Sequence, residues 1–177
     1  MLFTVRSIWT MVHGIVLGGA ALMGLSAALF HLYAARTSDE RNIAAPSASR
    51  ALAGLTVLTA MMLWLTVLVG TYIIFPPYRA TPPAGVTDLA QYPLSLIQAR
   101  LETAWLHAFA MESKEHAPWI ASMLATAVAF VSVRYPSKLL RDAPLRNMAT
   151  VLLAICFALV AFVALMGMLV NKVAPLQ

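Results

Sequence analysis

Three of the chain's four histidines are placed to meet at one end of a membrane-embedded protein. His13 lies near the start of the first long apolar run, whereas His107 and His116 precede the third. Ionisable side chains are costly at membrane depth, so they usually pair with one another, ligate a metal or line a water path. The sequence therefore predicts a polar or ligand-binding site near one membrane surface.

A b-type haem is the first chemistry that these histidines suggest. Neutral imidazoles hold the iron of many membrane haems, and His13 can face His107 or His116 at matched depth. Gly14 begins a small-xxx-small pair that lets another helix, or a flat macrocycle, approach closely. The alternative is that each histidine is an interfacial hydrogen-bonding group. The predicted haem site comprises three possible axial ligands and one propionate partner: His13, His107, His116 and Arg79.

A metal ion is the second hypothesis for this end of the protein. If the segment before the third run is helical, Glu112, Glu115 and His116 share one face through i,i+3 and i,i+4 spacing. Carboxylate oxygens and imidazole nitrogens are ligands of zinc, iron and copper. Alternatively, Pro118 starts the third helix and the acidic residues interact with its dipole. The predicted metal ligands are His13, Glu112, Glu115 and His116.

Composition places these residues in an integral membrane protein. Hydrophobic residues make up 61% of the 177 residues and charged residues 11%, whereas soluble domains carry about 25% charged residues. Four apolar runs approach the ~20 residues that a helix needs to cross ~30 Å of hydrocarbon. We expect a single all-α domain, an integral membrane four-helix bundle, with spans at about 8–35, 52–75, 118–135 and 148–170.

The long connection 76–117 lies between the second and third spans. Five prolines prevent a regular helix in its first part. From about Leu94 to Met111 apolar residues recur at helical spacing, which predicts an additional amphipathic helix. This helix would lie on the outer interface or between the other helices. A surface helix that only caps the bundle fits the same pattern.

Topology follows from the basic residues. Seven of the twelve Lys and Arg residues fall in or beside the two short connections opposite the histidines, and such loops prefer the cytoplasm. We expect a bacterial inner-membrane protein with both termini and the 76–117 connection outside. The net charge of +5 is scattered rather than gathered in a basic stripe, so it indicates topology and not nucleic-acid binding.

Two segments carry a family resemblance. GTYIIFPPYR, residues 70–79, and WLHAFAMESKEH, residues 105–116, resemble an uncharacterised family of small four-helix bacterial membrane proteins. The resemblance implies the fold and no activity. In size, helix count and outer histidines the chain is also similar to the small cytochrome-b-type subunits of respiratory complexes, a likeness at the level of fold.

The expected function follows from short loops and the lack of a soluble catalytic domain. We expect a small subunit of a larger membrane complex, concerned with respiratory electron transfer, rather than a stand-alone enzyme. Its partners would be membrane lipids, other integral-membrane subunits and a periplasmic redox protein. Two rival classes are a cofactor-free structural or assembly subunit, and a small transporter or metal-handling protein.

Overall fold

Four long helices form the protein in a computed structural model that describes residues 4–37 and 46–175. The predicted all-α, four-helix membrane bundle is confirmed, as is a further helix in the long connection. The helices, in chain order, are α1 Val5–Thr37, α2 Pro46–Tyr78, α3 Pro93–Gln98, α4 Leu101–Arg134, α5 Pro136–Arg141 and α6 Ala143–Val173.

The four long helices pack as a square in which sequence neighbours are antiparallel. α1 contacts α2, α2 contacts α4, α4 contacts α6, and α6 closes the square against α1. Leucines and alanines fill its centre, for example Leu25, Leu32 and Leu153. The opposite faces are also apolar, and Met23 and Phe30 are 73% and 72% exposed. Helices that are apolar on every side suit a lipid environment.

Close approach of α1 and α2 depends on one glycine. A β-carbon at Gly24 would collide with the hydroxyl of Thr59, which donates a 2.7 Å hydrogen bond to the carbonyl of Leu55. Gly14 and Gly18, the small-xxx-small pair in the sequence, are not at a close helix–helix contact. A β-carbon at Gly14 would meet nothing within 4 Å in the described part of the chain, and one at Gly18 would meet only the His13 carbonyl of its own helix, at 3.4 Å.

The third span begins earlier than the sequence indicated. α4 starts at Leu101, and Pro118 lies inside it rather than at its first turn. A proline is tolerated within a membrane helix where local adjustments re-satisfy the backbone. Nearer its start, α4 widens into a π-helical turn at Leu106–Met111. Extended backbone at Arg100, with φ −126° and ψ 131°, separates α3 from α4. The predicted helix of residues 94–111 is thus divided between α3 and the start of α4.

The connection between α2 and α4 covers the end of the bundle that carries both termini. This end, which the sequence predicts to face outward, is called the outer end below. Arg6 of α1 donates hydrogen bonds to the carbonyls of Pro77, at 2.7 Å, and Gln91, at 3.4 Å. Ile97 of α3 is fully buried in a second apolar cluster with residues of α4 and α6. The connection is therefore packed onto the bundle.

The inner end joins α4 to α6 through α5. Leu139 and Leu140 of α5 are buried against the core. The carboxylate of Asp142 caps α6 by accepting from the Leu145 amide, and Arg146 donates a 2.6 Å hydrogen bond to the Leu140 carbonyl. The other inner connection contains Arg41, one of the topology residues, which lies outside the described residues.

Candidate functional site

Four residues, one from each long helix, form two close pairs near the outer end. His13 of α1 packs on Gly70 of α2, where a β-carbon would lie 2.8 Å from Cε1 of the imidazole. Lys114 of α4 faces Gly167 of α6, where a β-carbon would lie 3.2 Å from the ammonium nitrogen. Each glycine provides the space that its ionisable neighbour occupies. These four residues are called the outer layer below.

The outer layer lies about one hydrocarbon thickness from the inner end. A separation of 20 residues corresponds to about 30 Å of helix, which is the thickness of the hydrocarbon core. With the inner arginines at one hydrocarbon edge, the outer layer falls at the other. Each residue of the outer layer is 20 to 23 positions from the arginine nearest the inner end of its own helix. These arginines are Arg36 in α1, Arg50 in α2, Arg134 in α4 and Arg146 in α6.

Three of the long helices widen into π-helical turns close to this depth. The turns are Val12–Gly18 in α1, Gly70–Ile74 in α2 and Leu106–Met111 in α4. π turns are uncommon in proteins as a whole but occur often at functional sites. They redirect side chains and loosen the helix locally. His13 and Gly70 lie within two of these turns, and Lys114 follows the third.

A partly open cavity of about 280 Å³ lies between the helices at the outer layer. Its wall is mostly apolar and includes Phe75, Met111 and Trp119. Small-molecule sites are typically concave, largely apolar and supplied with a few polar groups. This space is called the outer cavity. Its polar lining consists of Thr10, His13, Thr66, Thr71, Tyr78, Lys114, Glu115 and Asn171.

Two ionisable groups of the outer cavity have a buried atom without an internal hydrogen-bond partner in the described structure. Nδ1 of His13 and Oε1 of Glu115 are buried without a hydrogen bond to any residue in the described ranges. The Lys114 ammonium lies close enough to His13 to interact electrostatically. Buried charges without partners cost several kcal/mol, so structural stability alone does not account for this arrangement.

Glu115 has one charged neighbour at the rim of the cavity. Its Oε1 lies 3.9 Å from Nη2 of Arg79, which is an ion pair but too long for a hydrogen bond. The same guanidinium lies 4.8 Å from the centre of the Phe75 ring, a distance typical of cation–π contact. Arg79 is half exposed. A half-exposed ion pair of this length is weak because solvent screens it, so Glu115 keeps most of its charge towards the cavity.

The other two predicted histidines are engaged elsewhere. Nδ1 of His107 lies 3.2 Å from the Tyr78 hydroxyl, beside the cavity but outside its lining. His116 is exposed, and its Nδ1 lies 2.8 Å from the main-chain carbonyl of Glu112. Because a carbonyl only accepts, this Nδ1 carries the proton. The structure thus brings His13 and Glu115 to the cavity and Arg79 to its rim.

The predicted metal ligands are divided in the same way. Glu112 and His116 are exposed on α4, whereas His13 and Glu115 line the cavity. Within the described part of the chain, no group of three His, Cys, Asp or Glu side chains is arranged to hold a metal ion. The metal hypothesis stays a prediction for direct analysis.

Sequence reasoning missed Lys114 as a site residue. The available signal was its position: Lys114 lies 20 residues from Arg134, at the edge of the hydrocarbon core, where a lysine is either an interfacial anchor or part of a functional site. Trp119 was also missed as a cavity residue. Its ring lies 5.6 Å from that of Trp64 in an edge-to-face arrangement, and this contact holds it at the wall of the outer cavity.

Comparisons of the chain with protein-family models, with curated proteins and with solved structures found no match. The structure itself shows a membrane protein with four candidate spans. Functional inference for this chain therefore depends on the outer cavity.

Proposed function

We propose that this chain is a small subunit of a larger membrane complex concerned with respiratory electron transfer, and that the outer cavity is where it acts. One observation carries the proposal. His13 of α1 and the adjacent Lys114 and Glu115 of α4 share a cavity at the hydrocarbon edge, where Nδ1 of His13 and Oε1 of Glu115 have no hydrogen-bond partner in the described structure. Ionisable groups in such a position are a functional site by default.

The remaining polar groups favour a subunit over a stand-alone enzyme. Many hydroxyl groups within the spans, such as those of Thr66 and Ser122, donate to carbonyls of their own helices. Cys156 is buried and donates to the Ala121 carbonyl. An activated nucleophile is hydrogen-bonded to a general base, whereas the Ser122 hydroxyl and the Cys156 thiol donate to main-chain carbonyls. The apolar outer faces of the bundle are suited to lipids and to other membrane subunits.

A b-type haem is a second proposal, and the placement of His13 favours it. The imidazole reaches the outer cavity with Nδ1 free of hydrogen bonds within the described ranges. Bound haem would supply one-electron chemistry at its iron. His13 would help to hold the iron, and Arg79 would pair with a propionate. A second imidazole, from His107 or His116, would first have to leave its present hydrogen-bond partner.

Isolation from the source membrane in mild detergent tests the proposed function. A tagged chain should be recovered with integral-membrane proteins that contain a redox centre visible in the reduced-minus-oxidised optical spectrum. If the chain itself binds haem, His13→Ala should abolish its α and β bands while His31→Ala leaves them intact. Recovery of the chain alone, or with redox-inactive proteins only, would contradict the proposal and favour a structural or assembly subunit. Metal bound stoichiometrically, without redox partners, would favour metal handling.

The predicted orientation completes the proposal. With both termini outside, the outer cavity would face the periplasm of a Gram-negative bacterium, where a soluble redox protein can reach it. The inner basic residues support this orientation through their preference for the cytoplasm.

A further inference from the structure

We propose that the outer cavity binds the headgroup of a lipid-soluble quinone. This inference rests on the proposed role in electron transfer and names the ligand of that site. Four properties of the cavity support it: its volume, its balance of charge, its donors and acceptors, and its depth in the membrane.

The volume of the outer cavity suits one substituted ring. About 280 Å³ equals roughly nine water molecules at ~30 Å³ each. The side chains of Phe75, Met111, Trp119 and Val163 supply apolar walls. Aromatic rings stack well against such walls.

Charge balance in the outer cavity favours a neutral ligand. The Lys114 ammonium and the Glu115 carboxylate both line it, and their formal charges sum to zero, whereas Arg79 at the rim is half exposed and is screened by solvent. An anionic headgroup would gain attraction from Lys114 but would be repelled by the buried Oε1 of Glu115. A quinone ring is uncharged in both its oxidised and its fully reduced, protonated forms. It therefore enters this site without repulsion from Glu115.

The hydrogen-bonding groups match both forms of such a ring. An ammonium is a donor only, and an ionised carboxylate is an acceptor only. Lys114 can donate to a quinone carbonyl, whereas Glu115 can accept from a quinol hydroxyl. Nδ1 of His13, free of hydrogen bonds in the described structure, serves either form according to its tautomer. The hydroxyls of Thr10 and Thr66 already donate to main-chain carbonyls.

The depth of the site suits a headgroup that carries an apolar tail. The outer layer lies about 30 Å from the inner arginines, at the edge of the hydrocarbon core. A polar ring is stable at this boundary while an attached hydrocarbon tail extends into lipid. The π turns of α1 and α2 at the same level provide the local looseness that a ring needs to enter between helices.

Trp119 provides a direct readout of binding, because its indole lines the cavity. The purified chain in phosphatidylcholine nanodiscs would be titrated with a benzoquinone that carries a ten-carbon tail, and Kd measured by quenching of tryptophan fluorescence. Saturable quenching is expected for the wild type. Trp119→Phe should remove most of the quenching, whereas Trp105→Phe should keep it. Equal, non-saturable quenching in all three proteins would mean partition into lipid only and would overturn the proposal.

Lys114→Met tests the proposed hydrogen-bond donor, and Lys172→Met is its matched control. Loss of one hydrogen bond from a charged group should weaken binding about tenfold or more, so Lys114→Met should raise Kd while the exposed Lys172→Met leaves it unchanged. If Lys114→Met does not fold, Glu115→Gln keeps the side-chain shape and should weaken binding of the quinol form more than that of the quinone. Unchanged Kd in whichever variant folds would refute the assignment.

Competition with laurate separates a quinone site from a site for anionic amphiphiles. The neutral quinone should remain bound at laurate concentrations that leave the nanodisc intact. Displacement of the quinone by laurate at equal concentration would overturn the choice of ligand. Neither result alters the recovery of redox partners from source membranes, so failure of the quinone assignment is distinguishable from failure of the proposed function.

Discussion

The imidazole of His13 occupies the space that a side chain at Gly70 would otherwise fill. A β-carbon at Gly70 would lie 2.8 Å from Cε1 of His13, closer than carbon atoms pack without displacement. Both residues lie in π turns of their helices. This contact fixes where the ring sits, and it places His13 in the outer cavity rather than in lipid.

Gly70→Ala should destabilise the bundle because the added methyl group forces His13 to move. Overpacking of this kind costs about 1–3 kcal/mol. Gly54→Ala, on the same helix, is the matched control, since a β-carbon there meets nothing within 4 Å among the described residues. It should be neutral or slightly stabilising. Unfolding free energies in detergent, measured by titration with denaturant, would compare the two variants.

The double variant His13→Ala with Gly70→Ala distinguishes this contact from a general effect on α2. Without the imidazole, the new methyl group should cost little, so the two substitutions should show strong coupling. Additive losses would show that Gly70 is important for another reason.

Tyr78→Phe should loosen the covering of the cavity. The hydroxyl lies 3.2 Å from Nδ1 of His107, and a neutral hydrogen bond contributes about 1 kcal/mol. Tyr72→Phe on the same helix removes a hydroxyl from a side chain that is 70% exposed and should have no effect. Thermal unfolding followed by circular dichroism would measure both. Equal melting temperatures for the two variants would show that the Tyr78–His107 contact is not stabilising.

Arg6 should hold the long connection to the bundle through its two hydrogen bonds to Pro77 and Gln91. Arg6→Met keeps the apolar stem and removes the donors, so amide hydrogen exchange across residues 78–92 should accelerate. Arg100→Met, at an exposed arginine, is the control and should leave exchange in that segment unchanged. Identical exchange in both variants would contradict the anchoring role.

The predicted topology can be tested by labelling single cysteines in intact cells. Thr87 and Ser137 are both exposed, at opposite ends of the bundle, and the native Cys156 is buried. In a Cys156→Ala background, a membrane-impermeant thiol reagent should modify Thr87→Cys and spare Ser137→Cys until the cells are lysed. The reverse pattern would place the outer cavity on the cytoplasmic side.

Much of the fold could be predicted from the sequence because hydrophobic length is a local property. Each of the four apolar runs contains enough residues to cross a membrane, and each is one long helix in the structure. The start of α4 was harder to locate. Pro118 resembles a helix start when viewed locally. The helix nevertheless begins at Leu101, and its first turns pack through Leu106 and Met111 in the second apolar cluster, together with Ile97 of α3.

The candidate site was only partly predictable, for a physical reason. Depth can be counted along each helix, so His13 and the 107–116 segment were correctly expected near one end. The direction in which a side chain points depends on helix rotation, which the three π turns alter. His116 consequently lies outside the cavity and Lys114 inside it. The glycines that accommodate His13 and Lys114 belong to other helices, and no local pattern links them.

Electron flux in native membranes tests the central claim that the outer cavity is where this chain acts. Cells lacking the chain would be complemented with the wild type, Lys114→Met or Lys172→Met, and the rates of quinone-pool reduction and reoxidation would be measured in isolated membranes. At equal abundance of assembled protein, Lys114→Met should lower one of these rates at least several-fold, while Lys172→Met matches the wild type. Full rates with Lys114→Met would contradict the account.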